Sequence, residues 1–320
     1  MLVPDRVKKC VAFIGIRKVD GSYSVKGTAF FLIRQLNDFH SFLYFVTAKH
    51  NIENVKNLGL THLSVRLNLK QGGSEWFDIP ISDWHYHPKD SEESYIDVAV
   101  MRITGEMDDL DILGYPLVNL ATAETIKAKE IGEGDEVFIA GLFHPHHGKK
   151  KNTPIIRIGN IAATPEELVD TRVGEMEAYL IEARSIGGLS GSPVFVNLGT
   201  TRYANKFGFQ QYNYHLLGLI HGHFDTELDL DDTETAFTKA EKVNMGIAIT
   251  VPSTKILETI NQPMIKEMEN EIEENVRKQH LPTMDSFEDE SFTKELFTDV
   301  LKRASRKTFE PAPKTKETSE

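Results

Sequence analysis

Ser190 lies in the stretch Gly187-Gly188-Leu189-Ser190-Gly191-Ser192-Pro193-Val194, a hydroxyl with glycines on either side. Hydrolysing an amide at neutral pH takes an activated nucleophile, a base that activates it and donors that hold the developing oxyanion. The missing side chains at Gly188 and Gly191 would let the backbone N–H groups of Gly188 and Ser190 point at such a charge. An isolated Gly-x-Ser-Gly equally describes a tight β-turn ahead of a strand at 193–197. The candidate base is His50, which ends the run Phe42-Leu43-Tyr44-Phe45-Val46-Thr47-Ala48-Lys49-His50. A strand this apolar is buried and would deliver the imidazole at its mouth, although a lone histidine after a strand is more often a loop residue bonded to backbone. The candidate orienting acid is Asp97, in Tyr95-Ile96-Asp97-Val98-Ala99-Val100-Met101. A carboxylate at the head of an apolar strand must find a donor, and the N–H of His50 would serve. The alternative is that Asp97 caps the polar loop at 90–94 and stays solvated.

Whatever positions these residues must be built from strands. From residue 11 to about 250, short apolar runs alternate with Gly, Asp, Asn and Pro, the punctuation of an all-β protein. One set of strands is expected at 11–18, 27–34, 42–47, 62–67, 76–81 and 97–103. A second set is expected at 136–142, 154–162, 177–183, 193–197, 214–221 and 245–251. Two groups of six suggest two antiparallel β-barrels, about 11–117 and 118–251, since closure removes exposed sheet edges. No sequence repeat links the halves. Pro252-Ser253-Thr254 then opens a helical stretch to 262 with Ile256, Leu257 and Ile260 on one face. Beyond this domain of residues 1–262, a charged helical extension runs from 263, with Phe292, Leu296, Phe297, Val300 and Leu301 at helical spacing and a disordered tail from Thr308.

The three candidates occur in the chain order His, Asp, Ser. With them come Gly27-Thr28-Ala29-Phe30-Phe31, Val46-Thr47-Ala48-Lys49-His50, Ile96-Asp97-Val98-Ala99-Val100, Gly134-Asp135-Glu136-Val137 with Ala140-Gly141, Leu217-Gly218-Leu219-Ile220 and Met245-Gly246-Ile247-Ala248-Ile249. In this order the landmarks resemble the trypsin-like serine peptidase superfamily over residues 11–262, closest to the bacterial stress proteases and glutamyl endopeptidases. The resemblance implies a chymotrypsin-like double barrel that cuts peptide bonds through an acyl-enzyme. His50 would act as general base then acid, Asp97 as its orienter, Ser190 as nucleophile, and the N–H groups of Gly188 and Ser190 as oxyanion donors.

Departures from the pattern carry their own implications. Leu189 stands where trypsin has the aspartate that pairs with a new N-terminus, so that activation route is absent. Lys49 places a cation beside the base, which would disfavour imidazolium unless it points to solvent. By resemblance, the substrate pocket falls at Arg184, His221 and His223, where charge-assisted hydrogen bonds would favour an acidic residue before the cut. Arg184 could instead pair with Glu182 or solvent. The run Gly218-Leu219-Ile220-His221 has one residue more than the glutamyl endopeptidase pattern of a histidine after Gly-Ile.

The cluster His144-Pro145-His146-His147, with His85 and His87, has metal-ligating residue types, but Gly148 and the run Lys149-Lys150-Lys151 read as a solvated basic loop that repels cations. No metal and no cofactor is expected. A net charge of −12 argues against nucleic acid and anionic membrane as partners, leaving protein or peptide substrates. One cysteine, Cys10, cannot form an intrachain disulfide, and the apolar run 11–16 is short for a signal peptide, so a cytoplasmic location is the default expectation. The extension after 262 could serve assembly, inhibition or partner recruitment. Two rival readings use the same residues: a double barrel that binds peptides without cutting them, and an esterase.

Overall fold

The computed structural model of the chain describes residues 3–36, 40–91, 94–104, 107–183, 188–199, 214–227 and 242–280. It divides into two compact units, Met1–Glu269 and Asn270–Glu320, and the first holds all of the sheet structure. Arg184, Gly187, the stripe at 292–301 and the tail from 308 lie outside the described residues.

A short helix α1 (Asp5–Lys9) leads into β1 (Val11–Arg17), β2 (Tyr23–Gln35) and β3 (Ser41–Thr47). Helix α2 (Lys49–Asn57) follows, then β4 (His62–Asn68), β5 (Ser74–Pro80), β6 (His85–Tyr86), β7 (Ala99–Ile103) and β8 (Tyr115–Pro116). These strands form one curled sheet in the order β5-β4-β1-β2-β3-β7-β6, with β8 parallel to β2. Residues two apart share a face, and Ala12 and Ile14, Ala29 and Phe31, Leu63, Val65 and Leu67, and Ala99 and Met101 supply the inner face. The register slips between Ile14 and Gly15, where a Cβ on Gly15 would stand 2.3 Å from the carbonyl oxygen of Ser24. Such a bulge bends its strand and lets the sheet curl. Cys10, just ahead of β1, is fully buried, and burial pushes its thiol up to about 12.

The second half begins with α3 (Ala123–Lys129), whose first turn is capped by the Thr122 hydroxyl accepting from the N–H of Thr125. Strands β9 (Glu136–Gly141), β10 (Ile155–Ala163), the hairpin β11 (Val169–Thr171) and β12 (Gly174–Met176), β13 (Tyr179–Glu182), β14 (Pro193–Asn197), β15 (Tyr214–Glu227) and β16 (Lys242–Pro252) complete it. Six of them close a barrel in the order β10-β13-β16-β15-β14-β9. Val137 and Ile139, Tyr179 and Ile181, and Val194 and Val196 fill it with the same two-residue period.

The all-β double-barrel plan thus holds, and each of the twelve expected strands overlaps an observed one. The two halves differ in closure. The second is a hydrogen-bonded barrel; the first stays open between β5 and β6, because Pro80 ends β5, a turn at Ile81–Asp83 diverts the chain, and β6 has only two residues. Helix α4 (Ser253–Ile260) packs after the barrel, and α5 (Pro263–His280) follows. The start of α5 belongs to the first unit: Ile265 is buried, and Glu269 receives the Tyr44 hydroxyl, Arg34 at 2.7 Å and Lys266 at 2.9 Å. No helix among the described residues is long and apolar enough to cross a membrane.

Candidate active site

His50 sits three residues beyond the strand that was expected to deliver it. Strand β3 stops at Thr47, Ala48 occupies the extended N-cap position, and His50 falls in the first turn of α2. A helix start leaves backbone N–H groups without partners. Asp97 supplies one, its Oδ1 accepting from the backbone N–H of His50 at 2.9 Å, while its Oδ2 lies 2.7 Å from His50 Nδ1. One carboxylate therefore fixes both the helix turn and the ring it carries. Asp97 is wholly buried, two residues ahead of β7, so the solvated alternative does not apply.

Asp97 has a further partner. His221 Nδ1 lies 2.5 Å from the same Oδ2, and the Tyr95 hydroxyl stands 3.5 Å from Oδ1. His221 is the unpaired residue of a bulge: Ile220 is opposite Thr250 and Gly222 opposite Ile249. A bulge re-aims the side chain it carries, and here the His221 ring meets Asp97. His223, two residues on, pairs in register with Ala248 on β16.

The charges follow from this geometry. Burial would raise the Asp97 pKa, but the charge of His50 and the hydrogen bonds from His221 and His50 outweigh it and hold the carboxyl well below the usual range. Burial would lower His50, yet the charge and hydrogen bond of Asp97, with Glu53 adding, raise it above the ordinary histidine value. Lys49 points neither at the base nor at open solvent. Its ammonium is bonded to Asp90 at 2.6 Å and to Glu53 at 3.3 Å and lies 4.4 Å above the Tyr95 ring. Its charge is matched locally.

Ser190 is held by contacts to the first sheet. Its carbonyl accepts from the N–H of Thr28 at 3.1 Å and from Asn51 Nδ2 at 3.3 Å, and the Thr28 hydroxyl donates to the carbonyl of Gly188 at 2.9 Å. Gly191 has φ +81°, and a Cβ there would stand 2.2 Å from the carbonyl oxygen of Thr28 and 2.4 Å from Thr47 Oγ1. Only glycine lets the turn come this close. Leu189 is buried in the second barrel's core, which anchors the loop from the other side. Gly188 also has a positive φ, +101°, and lies against the His144 ring. The Ser190 hydroxyl donates to the backbone carbonyl of His221 at 3.2 Å; among the described residues no hydrogen bond joins it to His50.

The structure therefore gathers His50, Asp97, Ser190 and His221 at one place, while Arg184 is outside the described residues. Reading the sequence assigned His221 to a substrate pocket; its ring nitrogen is engaged by Asp97 instead. Asn51 was missed, and Thr28 was noted only as part of the landmark at 27–31, yet their polar side chains tie the Ser190 turn to α2 and β2. Elsewhere, His144–His146 form a single 3-10 turn, and the buried His87 ring bonds Glu258 at 2.8 Å. Among the described residues the one three-residue set with metal-ligating atoms close together is His50, Asp97 and His221.

No protein-family model and no curated protein matches this chain. Solved structures similar to it include the MamO protease domain from Magnetospirillum magneticum in its apo form, at 12% identity and a TM-score of 0.48 over 81% of this chain and 99% of that one. Deg5 is similar at 17% identity and a TM-score of 0.42, over 79% and 87% of the two chains. Human heparin binding protein is similar at 11% identity and a TM-score of 0.45, over 82% and 95%. At these values the double-barrel plan and the site stand on the chain's own topology and distances.

Proposed function

We propose that this chain is a trypsin-like serine endopeptidase. The observation that supports it most is the paired grip of Asp97 on His50, at 2.9 Å to the backbone N–H and 2.7 Å to Nδ1, beside a nucleophile turn bonded to the same helix. With Nδ1–H donated to Asp97, His50 keeps Nε2 as the basic nitrogen. On substrate binding the Ser190 hydroxyl rotates from the His221 carbonyl toward Nε2, a closing of the nucleophile–base contact that unliganded sites commonly leave open. Ser190 then attacks the scissile carbonyl, His50 takes its proton and returns it to the leaving amine, and the N–H groups of Gly188 and Ser190 hold the oxyanion. Water, activated by the same imidazole, releases the acyl group.

The rival reading, a double barrel that binds peptides without cutting, draws on the Ser190 hydroxyl being bonded to the His221 carbonyl and not to His50. Incubating the full chain with a peptide library and mapping the products separates the two. We expect peptide cleavage that Ser190→Ala abolishes; a folded protein that leaves every peptide and ester intact supports the rival, and turnover of esters alone supports an esterase. The same products test the preference for acidic residues before the cut, which now rests on Arg184, because His221 faces Asp97. Cleavage mainly after Leu, Val or Ala would rule that preference out.

A further inference from the structure

The residues that make up the proposed catalytic pair also satisfy the chemistry of a different ligand. Two imidazole nitrogens, Nδ1 of His50 and Nδ1 of His221, converge on a single carboxylate oxygen, Oδ2 of Asp97, at 2.7 and 2.5 Å. The two rings meet edge to face, their centroids 5.4 Å apart and their planes 86° apart, so neither blocks the other's approach. All three ligand atoms lie within 4.8 Å of one another. The carboxylate is already oriented through its other oxygen, which accepts the His50 backbone N–H at 2.9 Å. Supporting bonds of that kind orient metal ligands.

Charge favours a cation here. Asp97 touches both histidines, and Asp90 and Glu53 meet at Lys49, the residue before His50 and the one ammonium bonded to these carboxylates. With neutral imidazoles this leaves two uncompensated negative charges in a half-enclosed site. Both rings are partly exposed, at 23% and 14% of the side chain, so an ion can enter between them. Two imidazoles with one carboxylate suit zinc rather than calcium or magnesium, which take all-oxygen shells.

We infer that His50, Asp97 and His221 form a zinc-class divalent cation site, and that an ion bound there switches the proposed peptidase off. The switching clause rests on the proposed function; the site itself does not. Binding moves the proton of each neutral imidazole from Nδ1 to Nε2, so that both Nδ1 lone pairs and Oδ2 face the ion and water completes the shell. Metal–donor bonds of about 2.0–2.2 Å put tetrahedral ligands roughly 3.3 Å apart, so each present nitrogen–oxygen contact opens by under about 1 Å. A protonated Nε2 on His50 cannot accept the Ser190 proton. The ion and catalysis therefore exclude each other.

Calorimetric titration of the full-length chain with Zn2+ tests the site without calling on catalysis. We expect one ion per chain, with affinity weakened at least about 100-fold in His221→Asn, which keeps an N–H donor for Asp97, and unchanged in His146→Ala on the surface loop. Zinc X-ray absorption of the wild-type chain, independent of any variant's folding, should show two imidazole nitrogens among the nearest ligands. Absence of binding, wild-type affinity in a folded His221→Asn, loss of binding in His146→Ala, or a shell without two imidazoles would each overturn the site. If zinc binds but the metal-free chain never cleaves, the proposed function fails and the site stands; if the chain cleaves but zinc does not bind, the reverse holds.

Discussion

Asp97 accepts the His50 backbone N–H, the His50 ring and the His221 ring in a place that water does not reach. Its depressed pKa and the raised pKa of His50 describe one interaction from its two ends. Each stabilises the folded chain while both groups are charged: the Asp97 part is lost as pH falls through its lowered value, and the His50 part as pH rises through its raised value. Catalysis needs the neutral imidazole, so the acid limb of kcat/KM should have an apparent pKa above about 6.5, the ordinary histidine value. In Asp97→Asn that limb should move to lower pH and kcat should drop by up to about 10^4, because the amide no longer holds the productive tautomer. A pH–rate profile of both proteins checks this; an unchanged limb would mean that Asp97 does not act through His50. The pairing of His50 with Asp97 could be expected from the sequence, because a carboxylate ahead of an apolar strand needs a donor. The His221 contact could not, since its ring lies 124 positions further along the chain.

At the scale of elements, the strands were legible because they are short apolar runs punctuated by turn residues, and runs such as β1, β9 and β14 are buried almost throughout. Helix α2 was not, because its buried apolar positions, Ile52 and Val55, span a single turn. The bulge at His221 was not legible, because it is a slip of register against β16 and not a feature of the run itself. Nor did the sequence place α5 against the first sheet, where the buried Glu269 meets Arg34 and Tyr44, because the partners are more than 200 positions apart. Removing that carboxylate takes the ion partner from a guanidinium that is 16% exposed, leaving it Asn261, and takes the acceptor from the buried Tyr44 hydroxyl. Glu269→Ala should cost about 3–5 kcal/mol of stability by urea unfolding, and Glu269→Gln less, since it keeps an acceptor for Tyr44. Equal stability of Glu269→Ala and wild type would show that this docking contributes nothing.

Across the whole molecule, the two halves contribute unequally to one site. The open first sheet brings His50 and Asp97 on α2 and the approach to β7, and the closed barrel brings the Ser190 turn and the bulge at His221. Thr28, Asn51 and Gly191 join them, and their close packing fixes where the nucleophile stands. In a chain of net charge −12, the carboxylates of this centre are hydrogen-bonded to two histidines and one lysine. The measurement that tests the catalytic reading most directly is fluorophosphonate labelling of the full-length chain with the adduct mapped by mass spectrometry. A single adduct on Ser190, absent in Ser190→Ala and formed at least about 100-fold more slowly in His50→Ala, is the predicted result. A folded chain that takes no label, or takes it elsewhere than Ser190, contradicts the account.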